Sequence, residues 1–350
     1  MLRKVYLCAV AATVAMVAAV AGPADAQDKR VRVQMQSNFA SSLAILGPQA
    51  QRTAENMKKV SGGSIDIRFF EPGALVPAGQ SFDAVGSGSL DSAWATPGFW
   101  TGKEIAFALY ASVPFGPDIG EYLAWMKVGG GEKMMQELYG KFGIHSLLCN
   151  IISPEASGWF RKEIKSLDDL KGLKMRFFGL GAIVMQKFGV ATQLRQAGEI
   201  FQALQLGTID ATEFSMPAMD LSLGFHQVAK HYYFPGWHQQ ATLGDMMWNK
   251  AKWNTLSDTQ KAQAEITCEA NITYAIALSE SLQPKAMREI QSKGVTIHRW
   301  SPEILKAFEK GWEEVAVEQS AKSPEFKKGW DSLKAFRAEY AIWKDHGYLR

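Results

Sequence analysis

The residues of this chain able to do chemistry are few and scattered. Its histidines are His145, His226, His231, His238, His298 and His346. None falls in an H-E-x-x-H pattern and no G-x-S-x-G turn is present, so neither a zinc-activated water nor an activated serine has a sequence basis. His226 and His231 stand five apart, which keeps them off a common helix face. Each histidine reads as a structural or surface residue. Gly179-Leu180-Gly181 suggests a phosphate cradle, but Val184 stands where a dinucleotide fingerprint needs glycine. Without a nucleophile, a base and an orienting group, the expectation is binding and not catalysis.

Three polar groups stand out at the ends of strand-like segments. Arg176 follows Leu173-Lys174-Met175 and precedes Phe177 and Phe178. A guanidinium in aromatic surroundings suits bidentate recognition of a carboxylate; an exposed strand arginine is the plain alternative. Glu213 ends Ile209-Asp210-Ala211-Thr212, where a carboxylate can cap a turn, pair with a cation or hold a hard metal ion. The run Tyr232-Tyr233-Phe234-Pro235-Gly236-Trp237-His238-Gln239 reads as a strand crossing between two lobes, with core aromatics as the bland reading.

The elements that must position these groups follow α/β grammar. Val31-Arg32-Val33-Gln34-Met35 alternates as a strand, Ser41 or Ser42 can cap a helix with Leu43, Leu46, Ala50, Ala54 and Met57 on its apolar face, and Ile65 to Phe70 is strand-like again. Strand, helix and strand in about forty residues predict a βαβ unit and a mainly parallel sheet. A second block restarts at Ser166-Leu167-Asp168-Asp169, a capping-box pattern, and runs through Leu173–Phe178, a helix after Gly179, an extended Val190–Leu194 and a helix over Glu199–Leu206. Two such blocks predict two lobes with a ligand crevice between them. The last third is helix-rich, and its spread of Trp253, Trp300, Trp312, Trp330 and Trp343 suggests packing across both lobes or against a partner subunit.

The N-terminus fixes the expected compartment. Met1-Leu2-Arg3-Lys4 is basic, Val5 to Ala21 is apolar apart from Thr13, and Ala24-Asp25-Ala26 is an A-x-A cleavage site behind Gly22-Pro23. Residues 1–26 therefore read as a removable signal peptide, with the mature periplasmic chain starting at Gln27. The remainder is long enough for two domains at ~100–200 residues each. A formal charge of +3, barely altered by losing Arg3, Lys4 and Asp25, carries no nucleic-acid footprint. Cys149 and Cys268 could pair in an oxidising compartment, but two cysteines make no disulfide framework, and two buried thiols are expected.

Leu170-Lys171-Gly172-Leu173-Lys174-Met175-Arg176, then Gly198 to Gln205 and Gly207 to Glu213, resemble the extracytoplasmic solute receptors of TRAP transporters, which are tripartite and ATP-independent. Gly158-Trp159-Phe160-Arg161-Lys162-Glu163-Ile164 and Tyr232 to His238 look like the branch that binds α-keto acids such as pyruvate, with relatives that bind lactate. The resemblance runs from about Val31 to Arg337. It implies that Arg176 bridges to the substrate carboxylate. It also implies that Glu213, the backbone carbonyl of Phe214, Glu155 and Gln239 hold a Na+ or Ca2+ ion touching the substrate, with Glu155 and Phe214 also reaching the ligand. Glu155 stands where the branch has Gln, Phe214 where it has Trp, and Gln239 where it has Glu. The first and third changes cancel in charge. Phe for Trp implies a roomier, more apolar pocket, suited to a 2-oxo or 2-hydroxy monocarboxylate larger than pyruvate.

Trp94 and Thr96, with Asn38 and Asn150 weaker, are further expected lining residues on the first lobe. The implied fold is a two-lobed α/β periplasmic binding protein. Lobe I covers 27–152 plus 240–282, lobe II covers 153–239, and C-terminal helices in 283–350 span the lobes and form a homodimer. The partners implied are an organic acid and the membrane permease. Competing readings keep the fold but change the ligand to a dicarboxylate or sugar acid, or change the partner to a sensor kinase. A periplasmic lyase or hydrolase is disfavoured by the missing constellation.

Overall fold

The computed structural model describes residues 28–349, so the expected signal peptide lies outside the described residues. Alternation in β1 (Val31–Ser37) buries Val31, Val33 and Met35 and exposes Arg32 and Gln34. A helix over Leu46–Val60 then packs Leu46, Ala50, Ala54 and Met57 inward and returns the chain to β2 (Ile65–Phe70), parallel to β1. The expected βαβ unit is present. Its helix starts later than the serines suggested: Ile45 occupies the N-cap with φ 69°, and Ser41 instead donates its backbone N–H to Glu71 Oε2 at 3.0 Å.

Two sheets result. The first has the order β2-β1-β3-β10-β4, with β3 at Ser92–Ala95, β4 at Ile144–Ile152 and β10 at Thr242–Asn249. The second has the order β11-β9-β5-β8-β6-β7. Its strands are β5 (Gly158–Phe160), β6 (Lys174–Arg176), β7 (Ala191–Gln193), β8 (Ala211–Thr212), β9 (His231–Phe234) and β11 (Thr296–Arg299). The capping box at Ser166 and Asp169 forms, although the turn it opens is only four residues of 3₁₀ helix. Chain connections cross between the sheets at 153–157 and 235–241.

A third connection is a 35-residue helix, Asp258–Ser292, opened by a capping box of Ser257 and Gln260. At ~1.5 Å per residue it is roughly 50 Å long. It packs on β4 and the Leu46–Val60 helix at one end. Towards the other end it meets the short helix Pro217–Ser222, where Gln283 Oε1 accepts from Ala218 N at 3.0 Å. Residue 282, expected as a boundary, lies inside this helix. The stretch after it is not all helical, because β11 adds to the edge of the second sheet beside β9.

Cys149 on β4 and Cys268 on the long helix form a disulfide, which corrects the expectation of two thiols. Packing of helix on strand brings their Cα atoms to 4.2 Å across 119 residues of chain, a closeness that spacing could not reveal. The last two helices divide the work of covering the molecule. Pro302–Lys322 packs on the helix Gly179–Lys187 of the second sheet. Pro324–Gly347 packs on Ile105–Tyr110 and the helices Ile119–Lys127 and Gly131–Gly140 of the first lobe. No helix of the described residues is long and apolar enough to cross a membrane.

Candidate functional site

Parallel strands converge their carboxyl ends on one region, where the backbone leaves the sheet and side chains are free to face a ligand. Here β1, β3, β6 and β8 all end at a cavity between the two sheets. The first sheet supplies Thr96, Asn150, Thr242 and Phe39; the second supplies Arg176, Phe178, Phe214 and Ser215. Glu155 and Gln239 come from the two crossing connections themselves.

Arg176, at the end of β6, is buried with its side chain only 2% exposed. Its Nη1 donates to Glu213 Oε1 at 2.6 Å and to Glu213 O at 2.8 Å, and its Nε donates to Arg195 O at 3.3 Å. Among the described residues Nη2 has no hydrogen-bond partner, so the guanidinium is held from behind with one edge left toward the cavity. Its Cζ also lies 5.3 Å from the centroid of the Phe214 ring, within cation–π range. Glu213 also accepts from Phe178 N at 2.6 Å. Burial alone would raise the Glu213 carboxyl, but Arg176, and after it His238 and Phe178 N–H, outweigh burial and hold it below the usual range.

Glu155 sits in the opposite electrostatic situation. Its Oε1 accepts from Ser215 Oγ and Thr242 Oγ1, each at 3.2 Å, while Oε2 has no partner among the described residues. Burial, and then the nearby charges of Glu213 and Asp220, push this carboxyl well above its ordinary value. Behind it Asp220 accepts from Trp159 Nε1 and Tyr232 Oη at 2.8 Å each and from Ser215 N at 3.1 Å. Burial lifts Asp220 to about 7.

Several acceptors in this small space lack donors. Glu155 Oε2, Gln239 Oε1 and Asn150 Oδ1 are buried and unpartnered among the described residues, and Glu213 Oε2 makes no hydrogen bond and meets only His238 Nε2, 3.5 Å away. Gln239 Nε2 is engaged on Thr242 Oγ1 at 2.7 Å, which aims its carbonyl oxygen elsewhere. Orphaned buried acceptors are costly unless something electropositive meets them. One oxygen of Glu155, one of Glu213 and one nitrogen of His238 lie within 4.8 Å of one another, a span that ligands of a single cation can occupy. The donor set fits a bound ion.

Of the residues singled out from sequence, Arg176, Glu155, Phe214, Thr96, Asn150 and Gln239 line the cavity. Thr96 spends its hydroxyl on Leu243 O at 2.8 Å. Glu213 is not a lining residue; it lies beneath Arg176. Trp94 is not in the wall either. Strand alternation turns it away from the Ala95 side and into the core formed with Met35, Leu147 and Met246. Asn38 instead anchors a loop, donating Nδ2 to Ala78 O and accepting from Ser81 Oγ. Sequence reasoning missed Ser215, Thr242, Phe39 and Phe99, whereas Phe178 had been marked only as an aromatic neighbour of Arg176 and His238 only as a member of the run Tyr232 to Gln239.

The model of bacterial extracellular solute-binding protein family 7 matches residues 36–323. A monocarboxylate 2-oxoacid-binding periplasmic protein of Nostoc sp. is 35% identical over 315 residues, covering 89% of this chain and 86% of that protein. A TRAP transporter solute-binding protein of Bordetella bronchiseptica is 33% identical with a TM-score of 0.88, covering 90% of this chain and 94% of that one. That structure is a mixed-occupancy dimer with calcium and picolinate in one site and the other site apo. A receptor from Pseudoalteromonas atlantica with bound sodium and pyruvate is 29% identical, TM-score 0.87, over 90% of this chain and 96% of that chain. The two sheets, the long helices and the family match over most of the chain lead to one assignment: the protein belongs to bacterial extracellular solute-binding protein family 7, as a solute receptor of a TRAP transporter.

Proposed function

We propose that the cavity captures a 2-oxo or 2-hydroxy monocarboxylate, with Arg176 on its carboxylate and a cation held by Glu155, Glu213 and Gln239 beside it. The observation that carries this reading is the buried guanidinium with one free edge, set next to carboxylate oxygens that make no hydrogen bond. Among the described residues lining the cavity, Arg176 alone is cationic, so a second ligand carboxylate would find no partner. Phe39, Phe99, Phe178 and Phe214 make the remaining wall apolar, which favours an acid with a larger side chain than pyruvate, branched or aromatic. When bound, the cation would neutralise the carboxylates and polarise the ligand's 2-oxygen; the protein's part is to orient and enclose.

The receptor would be exported to the periplasm behind its cleaved leader and would deliver the acid to the membrane permease in the closed form. We further propose that Pro324–Gly347, which leaves Ile342 and Trp343 exposed, forms the homodimer contact. Light scattering on the mature chain checks the latter.

Thermal melting and calorimetry over pyruvate, 2-oxoisocaproate, phenylpyruvate, lactate and succinate, with and without chelator, test the ligand. A fitting acid at ~100 times its Kd should add about 2.7 kcal/mol, and Arg176→Met should abolish that gain. Tight succinate binding, or acid binding that survives Arg176→Met, would overturn the reading. Pyruvate far tighter than the larger acids would remove the side-chain preference alone.

A further inference from the structure

The edge of the second sheet carries a pair of imidazoles that the acid cavity does not use. We infer that His231 on β9 and His298 on β11 form a chelating site for a borderline divalent ion of the Ni2+ or Cu2+ class. Neither residue lines the cavity, so this site is separate from the one proposed for the acid and its cation.

β9 and β11 run parallel, with His231 opposite Thr296 and His298 opposite Tyr233. Side chains two apart on a strand share a face, so the two histidines are diagonal neighbours on one side of the sheet. His231 Nδ1 and His298 Nε2 lie 3.0 Å apart, and both residues are half-buried, within reach of an ion from solvent. The His298 ring is stacked on Tyr233 at 4.5 Å between centroids, and Tyr233 on Trp300 at 4.2 Å. The Tyr233 hydroxyl is tied to Ile164, donating to its O at 3.1 Å and accepting from its N at 2.7 Å. One ligand is therefore held in place before any ion arrives. His231 packs its ring on His298 alone among the described residues, and a turn of that ring converges both lone pairs on one point.

Geometry and donor type then choose the ion. With metal–nitrogen bonds of about 2.1 Å, nitrogens 3.0 Å apart subtend roughly 90° at the metal. That is the cis angle of a square-planar or octahedral shell, and tetragonal nitrogen and oxygen ligands suit Cu2+ and Ni2+. Ca2+ takes oxygen ligands and should ignore the pair. Water fills the remaining positions together with Glu163, whose side chain is 44% exposed and whose charge acts on His298. Without metal the rings share a hydrogen bond across the two strands. The ion replaces that bond, and the bridging proton moves through solvent to the other nitrogen of its own ring, so both imidazoles stay neutral. Occupancy thus ties the edge strand β11 to β9 more firmly.

The test is titration of the untagged mature protein, in excess Ca2+, with Ni2+ by calorimetry and with Cu2+ by EPR. One equivalent of Ni2+ should bind, and His231→Gln and His298→Gln should each weaken it by at least about tenfold. The Cu2+ spectrum should carry ¹⁴N splitting from two imidazoles in the native protein and from one in either variant. Ni2+ should raise the melting temperature of the native protein and of neither variant. Ni2+ affinity unchanged by both substitutions, or no two-nitrogen splitting in the native protein, would overturn the inference. The second readout needs no variant to fold. Acid binding should be the same with and without Ni2+; its loss on adding Ni2+ would put the ion in the cavity and overturn the inference as well.

Discussion

Arg176 and Glu213 illustrate what a residue pattern can and cannot disclose. Position after a strand with aromatic neighbours marked Arg176, and its burial at the cavity follows from β6 ending there. The pattern did not disclose that Glu213 would lie under the guanidinium as its counter-charge. That depends on β6 and β8 being parallel neighbours, with Arg176 opposite Thr212. Breaking a buried pair by removing one charge typically costs about 3–5 kcal/mol, so Glu213→Gln should lower unfolding free energy by that order in denaturant titrations. His145 gives a pH effect of its own. It is stacked on Trp253 at 4.1 Å between centroids, and burial, then Lys250 and Lys261, depress it to about 4. The unfolded chain takes up that proton near ~6.5, so stability is full above that pH and declines as pH falls toward 4. The loss is roughly 3 kcal/mol at most. Unfolding measured against pH should show a shallower acid decline for His145→Gln; an identical slope would refute this assignment.

Among the elements, the legible ones were those whose own periodicity sufficed. β1, the Leu46–Val60 helix and β2 each carry a clear apolar face, and the Ser166 capping box is local by nature. β11 was not legible. Four residues between long helices carry too little pattern, and the strand exists because β9 presents an unpaired edge. The Cys149–Cys268 bond was hidden for a similar reason, being made by the packing of the long helix on β4. It closes a 119-residue separation, for which unfolded-state entropy gives a stabilisation of about 3–5 kcal/mol. Reducing conditions, or the paired substitution Cys149→Ser with Cys268→Ser, should lower the melting temperature accordingly. Unchanged melting would mean that the contacts around Asn271, which donates to Cys149 O at 2.9 Å, already fix helix to strand.

For the molecule as a whole, two α/β blocks predicted two lobes, and the structure has two sheets joined by crossing connections. The closing contact was beyond sequence reasoning. Phe99, from the first lobe, meets Phe178, from the second, edge to face at 5.3 Å between centroids. Beside them a Cβ on Gly98 would fall 2.2 Å from Phe178 Cζ. Gly98→Val should therefore prop the lobes apart, weakening acid binding by about tenfold or more with little change in melting of the ligand-free protein. Small-angle scattering should show that the variant no longer contracts on adding acid. Contraction equal to the native protein's would refute the role of Gly98.

The crossing connections also touch each other. Gly236 N donates to Glu155 O at 3.0 Å, and a side chain on residue 236 would collide with that oxygen at 2.2 Å. The fulcrum of the swing is thus fastened to one of the groups proposed to grip the ion. If the lobes open about these connections as proposed, the motion that uncovers the cavity would also carry the Glu155 backbone away from it, so a bound acid and its cation should leave together.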